Sequence, residues 1–335
     1  MGPNMPLDLT DTVIARLKHH TIGLTYRKDG SQAREVLGSG VLVTIEGRRG
    51  ILTCGHVAEK FEVLSDVQLG FFNSDDRNKF PLSAVLNQIL QSSVSFEESE
   101  TVFDLAFTFL TPELATAIEA KSGVFLNTDK NRKKMEDFAS TRCKFFDVIF
   151  GLVEEFSGEP EIEGKNVISN LRAVLYSGRI LPRDNGLLHF EPRDGGENLP
   201  NSFGGMSGGG VWRIYYDDGK QGDNALSTIM LCGIASWERA DEKEVARQGW
   251  YRVDQGLVPE VRKAIAELRG TLKSLTELTG QINQTLDVNS ENIDQLLDNL
   301  LHVTENLKEF TETIKLRPYS LIRATNPPEH KTGEQ

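Results

Sequence analysis

The sequence predicts a mainly β protein with two strand-rich halves and a long helical tail, on three observations. Short runs rich in β-branched and aromatic residues recur between residues 21 and 254, separated by turns such as DDGKQGDN. A polar, charged stretch, KSGVFLNTDKNRKKMEDFASTRC, divides those runs into two groups. From Leu268 onward the apolar residues change period, from strand alternation to a helical stripe.

Taken in order, residues 1–20 read as a lead-in that forms a short helix, and residues 21–118 as the first strand-rich unit. Within it, GSGVLVTIEGRRGILTCGHVAE gives two strands, Gly40 to Ile45 and Gly50 to Cys54, joined as a hairpin across Glu46–Arg49. TVFDLAFTFL is a further strand, and TPELATAIEA a helical turn that ends the unit. Residues 119–142 read as a linker. Residues 143–268 form the second unit, with strands near KFFDVIFGLV, NLRAVLYSGRI, LLHFEP, GGVWRIYYD and TIMLCGIASW. His189 falls in the alternation of Leu188 and Phe190, which places it on a surface face. A helix starts near Pro259, since proline suits a first helical position.

The tail spans 269–323. Leu272, Leu275, Thr279, Ile282, Leu286, Asn289, Ile293, Leu296, Leu300, Val303, Leu307, Phe310 and Ile314 follow alternating three- and four-residue steps, a heptad seam. Unbroken, a helix from Leu268 to Ile314 would run about 70 Å. Gly270, Gly280 and the polar seam residues Thr279 and Asn289 mark breaks or register points. Such a stripe requires an apolar partner: the strand-rich units, a second copy, or another protein docking on 268–314. Residues 324–335 are polar and are expected to lack structure.

The chemistry concentrates in three fragments. Ser207 lies in GGMSGGG, where glycines permit a positive-φ turn and leave the amides of Gly205 and Ser207 open to a carbonyl oxygen. His56 follows a strand end, in TCGHV, which suits a base that must reach a serine Oγ. Asp104 sits in an otherwise apolar run, FDLAF, and a buried carboxylate there demands a specific partner, which an imidazole N–H supplies. Each residue also has an ordinary structural reading, as a loop serine, a capping histidine or a turn-capping carboxylate.

In their order His, Asp, Ser, these fragments resemble the trypsin-like serine peptidases of chymotrypsin fold, and more closely the bacterial intracellular members. The resemblance covers about residues 20–268. It implies two six-stranded antiparallel β-barrels, with the helix near Pro259 closing the fold. It also implies a triad of His56, Asp104 and Ser207, with Gly205 and Ser207 as the oxyanion hole. LCGIASWE resembles the strand that pairs with substrate, carrying Ser236, Trp237 and Glu238, and Asn201 and Ser202 fall at the specificity pocket. Met206 stands where digestive members carry the aspartate that receives a new N-terminus, so that activation route is not expected. The ending NLKEFTETIKLRPYSLIR is similar to the helical tails of MCE lipid-transport proteins, over fewer than twenty residues. The expected function is a serine endopeptidase assembled or regulated through its tail. The alternative is a non-catalytic peptide-binding and assembly module with a protease-like fold.

Composition narrows the partners. A net charge of −12 excludes a basic nucleic-acid surface, and no run approaches the ~20 apolar residues of a membrane span. Three cysteines in apolar runs give no disulfide framework and point to a reducing, cytoplasmic compartment. No metal cluster, phosphate loop or cofactor fingerprint is recognisable in the sequence, so no cofactor is expected. A protein or peptide substrate is.

Overall fold

The computed structural model describes residues 7–27, 34–64, 67–72, 82–83, 89–93, 104–139, 143–157, 161–163, 166–168, 172–182, 187–192, 204–220, 224–239, 244–249, 257–286, 298–306 and 308. Helix α1 (Leu7–Leu17) presents Leu9, Val13 and Leu17, one turn apart, to the core. Strands β1 (Thr21–Arg27), β2 (Arg34–Ile45) and β3 (Arg48–Thr53) follow, then helix α2 (Gly55–Val63). Strands β4 (Val67–Phe71), β5 (Leu82–Ser83), β6 (Ile89–Ser93) and β7 (Asp104–Phe109) complete the first antiparallel sheet, in the order β5-β4-β1-β2-β3-β7-β6. The β2–β3 hairpin turns at Glu46 and Gly47, with φ of 50° and 74°. A two-residue turn with both central residues left-handed matches the twist of the flanking strands.

Helix α3 (Pro112–Ala120) begins where the Thr111 hydroxyl accepts the Leu114 N–H at 3.3 Å and Pro112 fixes the first turn. The 119–142 stretch is more structured than a linker. It supplies β8 (Leu126–Asn127), which pairs in parallel with β2, and helix α4 (Thr128–Ala139). Asn131 on α4 is buried; its amide donates to the Leu231 carbonyl at 3.0 Å and accepts the Leu231 N–H at 3.0 Å. One side chain thereby satisfies both backbone groups of a residue in the second sheet, which binds α4 to it.

That second sheet closes. Strand β9 (Lys144–Leu152) comes first, and a separate two-stranded ribbon of β10 (Glu161–Glu163) and β11 (Asn166–Ile168) intervenes. Strands β12 (Ala173–Pro182), β13 (Leu187–Pro192), β14 (Gly210–Tyr216), β15 (Leu226–Arg239) and β16 (Glu244–Gly249) complete a six-stranded barrel in the order β12-β13-β16-β15-β14-β9. The first half is a half-barrel instead: among the described residues no ladder joins its edge strands β5 and β6. The architecture is mainly β, a half-barrel and a closed six-stranded barrel, with the C-terminal helix at its side.

Alternate residues of β9 serve two clusters. Phe146, Val148 and Phe150 join the large core shared with the first sheet, where Trp212 is fully buried. Ile149, on the other face, packs with Tyr176, Phe190, Met206 and Val211. His189 is 7% exposed, so the sequence expectation of a surface face is overturned. Its strand, β13, lies between β12 and β16, and alternation there does not divide core from solvent.

His20 joins α1 to the sheets. Its Nδ1–H donates to the Val124 carbonyl at 2.7 Å, and its ring lies 5.8 Å from that of Trp212. Burial, with smaller contributions from nearby His19, Arg16 and Lys134, lowers its pKa to about 4. The neutral ring therefore supports the fold fully above pH 6.5, and this support is lost as pH falls from about 6.5 to about 4. The loss amounts to about 3 kcal/mol. Urea unfolding at pH 7 and pH 4.5 is expected to show a smaller acid loss in His20→Gln than in wild type. Equal losses would remove His20 from the explanation.

The closing helix, α5 (Val258–Leu286), buries Val258, Val261 and Ile265, and Arg262 bonds Glu46 and Asp129 at 2.8 Å each. It runs through Gly270 and Gly280 without the breaks the sequence suggests. Each glycine weakens a helix by about 1 kcal/mol, an insufficient penalty to stop a 29-residue run. Beyond Ile265 the helix leaves the body, with Leu268 and Leu272 39% and 51% exposed. Residues 298–306 are also helical.

Candidate active site

Asp104 opens β7, whose antiparallel register with β3 sets Ala106 opposite Thr53. Chain continuation past Thr53 into α2 then carries His56, on the first turn of that helix, over the Asp104 carboxylate. The His56 backbone N–H donates to Asp104 Oδ1 at 3.0 Å, and its Nδ1–H donates to Oδ2 at 2.8 Å. Ser236 Oγ–H donates to Oδ2 at 2.5 Å. Asp104 is 2% exposed and His56 29%, so the acid is sealed while the imidazole reaches the surface. Burial pushes the Asp104 carboxyl up, but the His56 bonds and charge and the Ser236 hydroxyl together hold it below the usual carboxylate range.

Ser207 lies in the turn that precedes β14. Gly205 and Gly208 have φ of 86° and 87°, which L side chains rarely adopt. A Cβ at Gly208 would stand 1.9 Å from the Ser39 carbonyl oxygen, so both conformation and space exclude other residues. The Gly208 N–H donates to the Ala235 carbonyl at 2.8 Å, and Gly209 donates to Met206 at 2.7 Å. The Gly204 carbonyl accepts the Glu154 N–H at 2.9 Å, and the Ser207 carbonyl accepts from Ser39 N–H at 2.7 Å. Among the described residues, no backbone bond engages the Gly205 and Ser207 amides. Met206 is 1% exposed, a buried apolar anchor for the turn.

The Ser207 hydroxyl donates to the Ser236 carbonyl at 2.8 Å, and not to His56. This differs from the direct serine–histidine bond expected from sequence. The reason lies in β15, where the ladder to β16 slips between Ala235 and Trp237. Ser236 has no opposite residue there, and its carbonyl turns to Ser207. Ser236 thus joins Ser207 to Asp104: its carbonyl holds Ser207 and its hydroxyl holds Asp104.

Of the residues expected to contact substrate, Trp237 and Glu238 continue β15 opposite Ala246 and Val245. Asn201 and Ser202 lie outside the described residues. Two residues that sequence reasoning passed over border the site. Ser39, fully buried on β2, donates to the Gly205 carbonyl at 2.8 Å and accepts the Leu152 N–H at 2.7 Å. Its place in the GSG run was the available signal. Cys54, also fully buried, precedes α2 and offers a sulfur beside Asp104 and His56. Burial and the Asp104 charge push its thiol pKa well up. Cys54, Cys143 and Cys232 are all free thiols. No helix among the described residues is long and apolar enough to cross a membrane.

No protein-family model and no curated protein sequence matches the chain. Among solved structures, the serine endoprotease from Yersinia pestis is similar, with 13% identity, a TM-score of 0.40, and coverage of 78% of this chain and 69% of that one. The tobacco vein mottling virus protease is similar at 10% identity and a TM-score of 0.36, with coverage of 74% of this chain and 82% of that one.

Proposed function

We propose that the chain is a serine endopeptidase. The observation that carries this reading is the sealed Asp104 carboxylate gripped twice by His56 and linked through Ser236 to a serine in a positive-φ glycine turn. In this reading Ser207 attacks the scissile carbonyl, and His56 Nε2 takes the proton and returns it to the leaving amine. Asp104 fixes the tautomer with Nδ1 protonated. The Gly205 and Ser207 amides receive the oxyanion, each worth roughly 10²–10³ in rate.

Before attack, the Ser207 hydroxyl must turn from the Ser236 carbonyl to the imidazole. An extended substrate laid along β15, past Ser236, Trp237 and Glu238 and toward Asn201 and Ser202, offers its own N–H to that carbonyl and favours the turn. The Ser207–Ser236 bond also supports a latent resting state, with assembly through the exposed apolar stripe beginning at Leu268 and Leu272 as the regulatory step.

A fluorophosphonate probe tests the reading. Wild type is expected to label at one site and Ser207→Ala not at all, with the adduct on Ser207 by peptide mapping. Equal reaction of the two proteins, with and without added peptide, would leave a non-catalytic peptide-binding module as the better description.

A further inference from the structure

We infer that Cys54, His56 and Asp104 form a binding site for one thiophilic divalent cation of the zinc type, and that its occupation switches the site off. One ligand atom from each residue lies within 4.8 Å of the other two. Zinc bonds of about 2.3 Å to sulfur and about 2.0–2.2 Å to nitrogen and oxygen require ligand atoms roughly 3.3–3.8 Å apart in a tetrahedron. The existing separation of 2.8 Å between His56 Nδ1 and Asp104 Oδ2 must open by under about 1 Å, and a sulfur separation at the 4.8 Å limit must close by about 1 Å.

The donor set is a sulfur, an imidazole nitrogen and a carboxylate oxygen. This combination selects zinc-like cations over magnesium or calcium, which take oxygen ligands. Charge also balances: the cation meets a thiolate, a carboxylate and a neutral imidazole. Cys54 occupies the position before α2 without capping it, and its thiol donates to the Ala235 carbonyl at 2.7 Å, a bond that metal binding would give up. His56, at 29% exposure, opens the cluster to solvent.

Binding requires the Cys54 thiol to release its proton to solvent and the His56 proton to move from Nδ1 to Nε2. The metal takes the place that the Nδ1–H···Asp104 bond held. An imidazole protonated on Nε2 has no lone pair for the Ser207 proton, so the base is lost while the fold stays intact. The effect on activity rests on the endopeptidase reading; the metal site itself does not.

Cobalt titration of the full-length Ser207→Ala protein separates the two. One equivalent of Co²⁺ is expected to give a thiolate-to-cobalt absorption band, which Zn²⁺ abolishes by displacement. Cys54→Ser and Cys54→Ala, made separately in the Ser207→Ala protein, are expected to lack the band; Cys143→Ser, which removes the exposed thiol, is expected to keep it. In the Ser207 protein, Zn²⁺ over the same range is expected to suppress fluorophosphonate labelling. Cys54→Ser is expected to need on the order of 10–100-fold more zinc for the same suppression relative to its own metal-free rate. Absence of the band, its persistence in both Cys54 variants, or zinc inhibition indifferent to Cys54 would overturn the site. A Cys54-dependent band in a protein that never labels would uphold the metal site and defeat the peptidase reading.

Discussion

Replacing Asp104 by asparagine is expected to slow fluorophosphonate labelling of Ser207 by about 10⁴-fold while the chain stays folded. The carboxylate now accepts three hydrogen bonds, from the His56 backbone N–H, His56 Nδ1–H and the Ser236 hydroxyl. An amide has one acceptor oxygen and a donor NH₂. With its oxygen kept by the His56 backbone, its NH₂ faces Nδ1 and favours the tautomer protonated on Nε2. That tautomer cannot take the Ser207 proton, although every atom stays in place. Labelling rates, with circular dichroism to verify folding, decide the matter. A loss under about tenfold would mean that Asp104 holds α2 in position and does not set the imidazole tautomer.

The largest stability effect is expected at another buried aspartate. Asp147 on β9 accepts Arg213 Nε–H at 2.7 Å, Arg213 Nη2–H at 3.0 Å and the Ile180 N–H at 3.2 Å. Arg213 also stacks 4.1 Å above the Phe145 ring. Burial opposes the arginine's charge, but Asp147 outweighs it and holds the guanidinium firmly protonated. Removing one partner of such a pair leaves the other charge desolvated. Asp147→Ala is therefore expected to lower stability by about 3–5 kcal/mol and the melting temperature by roughly 10 °C. The double variant Asp147→Ala/Arg213→Met is expected to recover much of this, because no unpaired charge then remains. A double variant as unstable as the sum of its singles would refute the pair as the cause.

The fragments TCGHV, FDLAF and GGMSGGG were legible because each combines a chemical group with a local backbone constraint. His56 follows a strand end, Asp104 interrupts an apolar run, and Ser207 is flanked by glycines. The strand runs of the second barrel and the turn at Glu46 and Gly47 were legible for a similar reason, since alternation and turn chemistry act over a few residues. The contact of Ser236 with Ser207 was not legible. It depends on a ladder slip between β15 and β16, which appears only once both strands are paired. The two-barrel expectation also met a limit: closure is a property of edge strands, and the described β5 and β6 do not pair.

Asp104 and Asp147 separate the two kinds of information most sharply. In sequence they are alike, each a single carboxylate inside an apolar strand-like run, FDLAF and FFDVIF. By itself the sequence determined that each, if buried, required a partner able to donate hydrogen bonds or positive charge, because a desolvated carboxylate is otherwise costly. Only tertiary structure decided which partner each received: an imidazole 48 residues away in one case, and a guanidinium 66 residues away in the other. Strand alternation fixes the face on which a side chain stands, whereas strand order and register, set by packing across the whole chain, fix what stands opposite it.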